Sequence, residues 1–183
     1  ILGKALGSYH LTVGQSLSRW TDWQEARNQT RTWKYDAINR LDTLLTTLEK
    51  RLAERGVEVH WAKDSAEALN LIDSLLERYQ VHTVIKSKTM TTEEIGLNEH
   101  LEGKGMEVTE SDLGEFIVQL RKEKPFHIVT PAMHLSKDSI SRLFEEKLNI
   151  SHTEDATELT LAARRHLRQK FLRADLGITG ANF

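Results

Sequence analysis

The sequence contains no cysteine. This absence excludes disulfides, zinc–thiolate centres and cysteine-ligated iron–sulfur clusters within the chain. No apolar run approaches the roughly eighteen residues a membrane-spanning helix requires, and no signal peptide is visible. The expectation is therefore a cytoplasmic location and no membrane span. An excess of charge of one sign is also missing: 25 Lys and Arg against 27 Asp and Glu leave a net charge of -2. Nucleic-acid surfaces need a concentrated basic face, so nucleic acid is not an expected partner. Neither a Walker pattern nor G-x-G-x-x-G follows any apolar run, which removes a nucleotide site assigned by motif.

What remains suffices for one ordinary domain with a core, since 39% of the 183 residues are hydrophobic. The chain starts at Ile1 without an initiator Met and stops at Phe183 just after a loop, so both ends are expected to be limits of a fragment. Residues 1–30 are polar and studded with Trp20 and Trp23. They read as an irregular arm leading into helix. Ile38, Leu41, Leu45, Leu48 and Leu52 recur at three and four, which predicts a helix over 34–55 with Gly56 as its cap. A helical amino-terminal extension over 1–55 is thus expected before a domain over 56–183.

Four short apolar runs read as strands: 57–62, 81–85, 106–110 and 126–130. Helices separate and follow them. Asp64 to Glu67, Thr91 to Glu94 and Asp155 to Glu158 have the spacing of capping boxes. Asp112 starts a helix over 113–122, and Ser136 or Asp138 starts one ending near Leu148. Strands alternating with helices predict an α/β fold, a mostly parallel sheet with helices on both faces. Ligands in such folds bind at the carboxyl ends of the strands.

The polar residues at that edge are the candidates. Lys86 and Lys88 flank Ser87 directly after the second strand and would attract a carboxylate or phosphate, unless they are simply solvated. Asp112 and Glu115 after the third strand, and Glu94 on the helix before it, are explained by capping. Glu110 has no such local explanation; it would pair with Lys86 or Lys88, or act as base or nucleophile. His134 follows the fourth strand and is the histidine placed at the same edge, as polar contact or acid–base group. Gly180 and Asn182 lie in a small-residue loop whose amides could meet an anion. No histidine pair has metal-ligand spacing, so no metal site is expected. Gln119 reads as a surface residue. The basic helix holding Arg164, Arg165 and Arg168 reads as solvated, with partner docking as the alternative.

The runs KSKTMTTEEIGLNEHLE (86–102), EVTESDLGEFIVQL (107–120), HIVTPAMH (127–134) and ARRHLRQKFLRADLGITGANF (163–183) resemble the lactate utilisation protein B family. With VHWAKDSAEA (59–68), the resemblance covers about 30 to 183. It implies part of a LUD domain, similar in fold to the ribose-5-phosphate isomerase and CoA-transferase group and truncated here. It also implies the iron–sulfur subunit of a bacterial system converting L-lactate to pyruvate with other subunits. The clusters of that subunit belong to a cysteine-bearing region absent from this chain, so no cofactor is expected in this stretch and the iron–sulfur clusters are expected in the full-length protein. Homo-oligomer formation is a further expectation. Lys86, Ser87, Lys88, Glu94, Asn98, Glu110, Asp112, Glu115, His134, Gly180 and Asn182 carry the family signature. A stand-alone isomerase- or CoA-transferase-like enzyme using Lys86 or Lys88 with Glu110, and a non-catalytic assembly module, are the alternatives.

Overall fold

The computed structural model describes residues 2–123 and 131–180. Among them are nine helices and three strands, in two compact units, Ile1–Trp61 and Ala62–Phe183. No helix among the described residues is long and apolar enough to cross a membrane.

The first unit holds α1 (Leu2–Leu17), α2 (Trp23–Asn39) and α3 (Leu41–Ala53). The start of the chain is helical where an irregular arm was expected. The spacing that builds α1 is present in the sequence, with Leu6, Tyr9, Val13 and Leu17 at intervals of three and four. The glycines at 3, 7 and 14 mask it by lowering helix propensity. Asp22 caps α2 by accepting from the Glu25 amide at 2.9 Å. The single helix expected over 34–55 is broken at Arg40, whose ψ of 19° leaves the helical region. Asp42 in the first turn of α3 suits a new helix start.

The second unit contains α4 (Ser65–Arg78), β1 (Thr83–Lys86), α5 (Met90–Glu94), α6 (Leu97–Gly103), β2 (Glu107–Glu110), α7 (Leu113–Arg121), α8 (Lys137–Leu148), α9 (Ala156–Arg173) and β3 (Leu176–Ile178). The strands form one parallel sheet in the order β2-β1-β3. Val84 pairs in register with Val108 and Leu176, and Lys86 with Glu110 and Ile178. Alternation puts these two rungs on one face. Leu76 of α4 and Leu97 and Leu101 of α6 pack there with Val84 and Val108. A second apolar cluster joins α7, α8 and α9 through Ile117, Leu143, Phe144, Leu159 and Ala163.

The expectation of a mostly parallel sheet with isomerase- or CoA-transferase-like topology is overturned. Among the described residues the fold is mostly helical, with a small, unclosed sheet of three strands. Residues 57–62 alternate like a strand but pair with none. Val57 and Trp61 stay 46% and 53% exposed, and the Val57 amide instead donates to Leu52 O at the end of α3. Alternation alone cannot distinguish an extended connector from a strand that has found a partner. The expected strand 126–130 lies outside the described residues. The third observed strand, Leu176–Ile178, comes from a stretch that reads as a loop because of Gly177.

The expected helix from Thr91 is two short helices, split at Gly96 in the left-handed region with φ 67°. Its cap position is Thr89, not Thr91, and Glu94 is exposed rather than closing a capping box.

Candidate functional site

The sheet carries its candidate residues at the carboxyl ends of β1 and β2. Lys86 ends β1 and Glu110 ends β2, facing each other in register. Lys86 is fully buried, and its Nζ lies 2.7 Å from Glu110 Oε1. The ammonium also donates to Thr92 Oγ1 at 3.0 Å, and that hydroxyl donates to Thr89 O. Asn98 Nδ2 donates to Glu110 Oε1 at 2.8 Å. A buried charge pair is tolerable only with such additional hydrogen bonds. The short helices α5 and α6 supply them, which explains why this connection is helical and close to the sheet.

Glu110 is also held through its backbone. Its amide donates to Gln119 Oε1 at 3.0 Å, while Gln119 Nε2 donates to Val108 O at 2.8 Å. The side-chain amide of Gln119 thus occupies the outer edge of β2 as a neighbouring strand would.

The other candidates have separate settings. The Ser87 amide donates to Ile178 O at 2.8 Å, and its Oγ is 3.0 Å from Thr179 Oγ1, so Ser87 continues the β1 to β3 pairing beyond the strand ends. Lys88 Nζ lies 3.7 Å from Glu115 Oε1. Asp112 caps α7 by accepting from the Gly114 and Glu115 amides. Gly180 passes directly over Thr89: a Cβ at 180 would stand 2.3 Å from Thr89 Oγ1 and 2.4 Å from Thr89 Cβ. Only glycine fits that approach. His134 meets Glu123, with Nε2 3.1 Å from Oε2, and is not a partner of Glu110 in this structure. Arg121 beside Glu123, with a lesser contribution from His134, holds the Glu123 carboxyl below the usual carboxylate range. Asn182 lies outside the described residues.

Of the candidates, Asn98, Glu110 and Glu115 border a cleft of about 640 Å³ between α6, the end of β2 and α7, together with Gln119. Its wall carries Glu93, Glu99, Glu102, Glu110, Glu115 and Glu123. Lys122 is the one lysine or arginine among the described lining residues. Chemically, the site is a neutral buried Lys86–Glu110 pair beside an acidic wall. The second Glu110 oxygen, Oε2, is buried without a hydrogen-bond partner among the described residues. The site has no histidine or cysteine nucleophile next to that carboxylate among the described residues. One group of ligating side chains among those residues, Asp138, His152 and Glu154, brings its atoms within 4.8 Å of one another. It lies on α8 and the loop after it and includes none of the candidates.

Three contributors escape a reading of the sequence: Thr92, Gln119 and Asp175. Gln119 follows Phe116 by three on the buried stripe of α7, and that position is the signal against a surface role. Asp175 fastens the start of β3 to β1: its Oδ2 accepts from the His82 and Thr83 amides and from Thr83 Oγ1, at 2.8 to 3.0 Å. The backbone donor of His82, followed by the two donors of Thr83, holds the Asp175 carboxyl below its usual range.

The LUD domain family model matches residues 45–183. Lactate utilization protein B of Oceanobacillus iheyensis is 42% identical over 173 residues, covering 94% of this chain and 36% of its own length. The protein of the same name from Bacillus cytotoxicus shows the same identity and coverage. That of Bacillus subtilis is 41% identical over 179 residues, covering 97% of this chain and 37% of its own. The chain therefore spans a little more than a third of the length of these relatives. No solved structure matches it.

Proposed function

The chain belongs to the LUD domain family, and from that premise we propose that it serves as the LUD portion of a lactate utilisation protein B, the iron–sulfur subunit of a system oxidising L-lactate to pyruvate. The observation that carries this reading is the 42% identity over 94% of the chain to proteins of that name. The chain acts there with the other subunits of the system. Its own residues do not fit an iron–sulfur cluster, because it has no cysteine. No electron-transfer step is therefore assigned to it.

The geometry favours a positioning and assembly role for the Lys86–Glu110 pair. Lys86 spends its ammonium on Glu110 and Thr92, so small-anion contact at the sheet edge rests with Lys88 and Ser87. Lys88 is the more accessible lysine, its side chain 38% exposed.

The test is genetic and biochemical. Removing this coding segment in the host should abolish growth on L-lactate while leaving growth on pyruvate intact, and extracts should lose L-lactate oxidation. Undiminished growth on L-lactate rejects the reading.

A further inference from the structure

The strand that ends at Glu110 has a second face. The Ser111 amide continues the β1–β2 pairing by donating to Lys86 O at 2.8 Å, so alternation puts the Ser111 side chain on the face opposite Glu110. On that face α9 lies over the sheet, with Lys170 paired to Glu107 at the start of β2. A groove of about 440 Å³ opens between α9 and the corner where β2 passes into α7. Thr160, Arg164, Leu167, Arg168 and Phe171 form its helical wall, spaced at three and four along one side of α9. Ser111 and Leu113 form the other wall.

The two arginines of this groove lack the partners that arginines have elsewhere in the chain. Arg40 has Asp36 one turn away, and Arg142 has Asp138. Between Leu159 and Arg173 there is no acidic residue, while Arg164, Arg165, Arg168, Lys170 and Arg173 are basic. Lys170 is taken by Glu107. Arg164 and Arg168 make no ion pair or side-chain hydrogen bond among the described residues. The helix dipole does not account for them either, because it favours cations in the last turn and both precede it. Both residues are exposed, so a ligand in the groove can reach them.

The rest of the lining is of a different kind. Leu113, Leu167 and Phe171 are apolar, and Phe171 stays 57% exposed. The Ser111 hydroxyl makes no hydrogen bond among the described residues. A hollow of this size, apolar with a few convergent polar groups, has the composition of a small-molecule site. Residues four apart on a helix are neighbours, and the planar guanidinium fork meets carboxylate or phosphate oxygens in pairs. We propose that the groove between α9 and the β2–α7 corner binds a small amphipathic oxyanion, its carboxylate or phosphate head held by Arg164 and Arg168 and its apolar body laid against Leu113, Leu167 and Phe171. A three-carbon acid leaves most of the groove empty, so the ligand is larger than lactate, and the inference does not depend on the lactate reading.

The test is a titration of the isotope-labelled chain, followed through the backbone amide signals of Ser111, Leu167 and Phe171. The probes are 3-phenylpropionate and hexyl phosphate, with 3-phenylpropanol and inorganic phosphate as the body without the charge and the charge without the body, all at a constant salt concentration of about 0.15 M. At least one of the two amphipathic anions should give saturable shifts, weakened about tenfold in R164Q/R168Q and unchanged in R165Q, whose arginine does not line the groove. Saturation by 3-phenylpropionate alone assigns the site to a carboxylic acid, by hexyl phosphate alone to a phosphate monoester, and by both to either head. Absence of saturable shifts with both overturns the inference. So does equal binding of the neutral alcohol or of inorganic phosphate, equal binding by wild type and R164Q/R168Q, or an equal loss in R165Q. Loss of L-lactate growth on deletion of the segment is unaffected by any of these results, so the two readings fail separately.

Discussion

Lys86 and Glu110 close the last rung of the parallel sheet as a buried ion pair, with Nζ 2.7 Å from Oε1 and side chains 0% and 5% exposed. Removing two charges from water is expensive, and their attraction repays it only while both are present. Glu110→Gln leaves the Lys86 charge buried without its counter-charge, and should cost about 3–5 kcal/mol of stability. The double variant K86M/E110L removes both charges at similar volume and should recover most of that loss. Urea unfolding of the three proteins measures it. A double variant as unstable as E110Q would show that the unpaired charge is not the source of the cost.

Gln119 protects the outer edge of β2 at two points, the Glu110 amide and the Val108 carbonyl. Gln119→Leu keeps the bulk and removes both partners. Leaving buried backbone groups unpaired costs about 1–3 kcal/mol each at most, so a loss of that order is expected in chemical denaturation. The uncovered edge is also a template for pairing with another chain. Light scattering should therefore show more self-association for Q119L than for wild type, while an exposed control such as Glu94→Gln should behave as wild type in both measurements.

Gly180 and Thr89 are in van der Waals conflict for any residue with a Cβ at 180. Thr89 is itself 1% exposed, so it has nowhere to yield. Gly180→Ala should lower stability by about 1–3 kcal/mol, the usual range for overpacking. It should also speed amide exchange in the loop after β1. The rescue by a second change is specific: T89G/G180A restores the space and should bring exchange back toward wild type. A G180A protein with wild-type stability would mean that the two segments are not held together as described.

The sequence reveals the local signals more faithfully than the partnerships. Asp64, Asp112, Ser136 and Asp155 all cap the helices their positions predict, because a cap depends on residues only two or three away. The Lys86–Glu110 pairing was also legible as one option, since two charged residues ending neighbouring apolar strands must be paired if buried. What misleads is alternation. VEVHWA at 57–62 has strand-like spacing but no partner, whereas LGI at 176–178 has a glycine and little apolar length yet pairs with β1. Pairing is a long-range event, and its determinant here is Asp175, whose hydrogen bonds reach ninety-two and ninety-three residues back along the chain. Nothing in the local spacing of residues announces such a contact. The acidity of the cleft was hidden because its glutamates come from five segments, α5, α6, β2, α7 and the turn after α7, which only the fold brings together.

Asp175 provides the pH-dependent test of that long-range contact. Its carboxylate accepts from the His82 amide at 3.0 Å, from the Thr83 amide at 2.9 Å and from Thr83 Oγ1 at 2.8 Å. In return the Asp175 amide donates to Thr83 O. These donors, the His82 backbone first, favour the charged form and lower the pKa in the folded state. A group whose pKa is depressed by folding stabilises the protein above its unfolded pKa, about 3.9 for an aspartate, and loses that contribution as the pH falls through the folded value. Asp175→Asn keeps an acceptor oxygen but not the charge. It should therefore be less stable than wild type at neutral pH, with a gap that stays constant down to about pH 5 and narrows below about pH 4. Denaturant midpoints for both proteins across this range measure the gap, and amide exchange at Leu176–Ile178 locates it at β3. A gap that does not narrow in acid would mean that the charge of Asp175 does not hold β3 to β1.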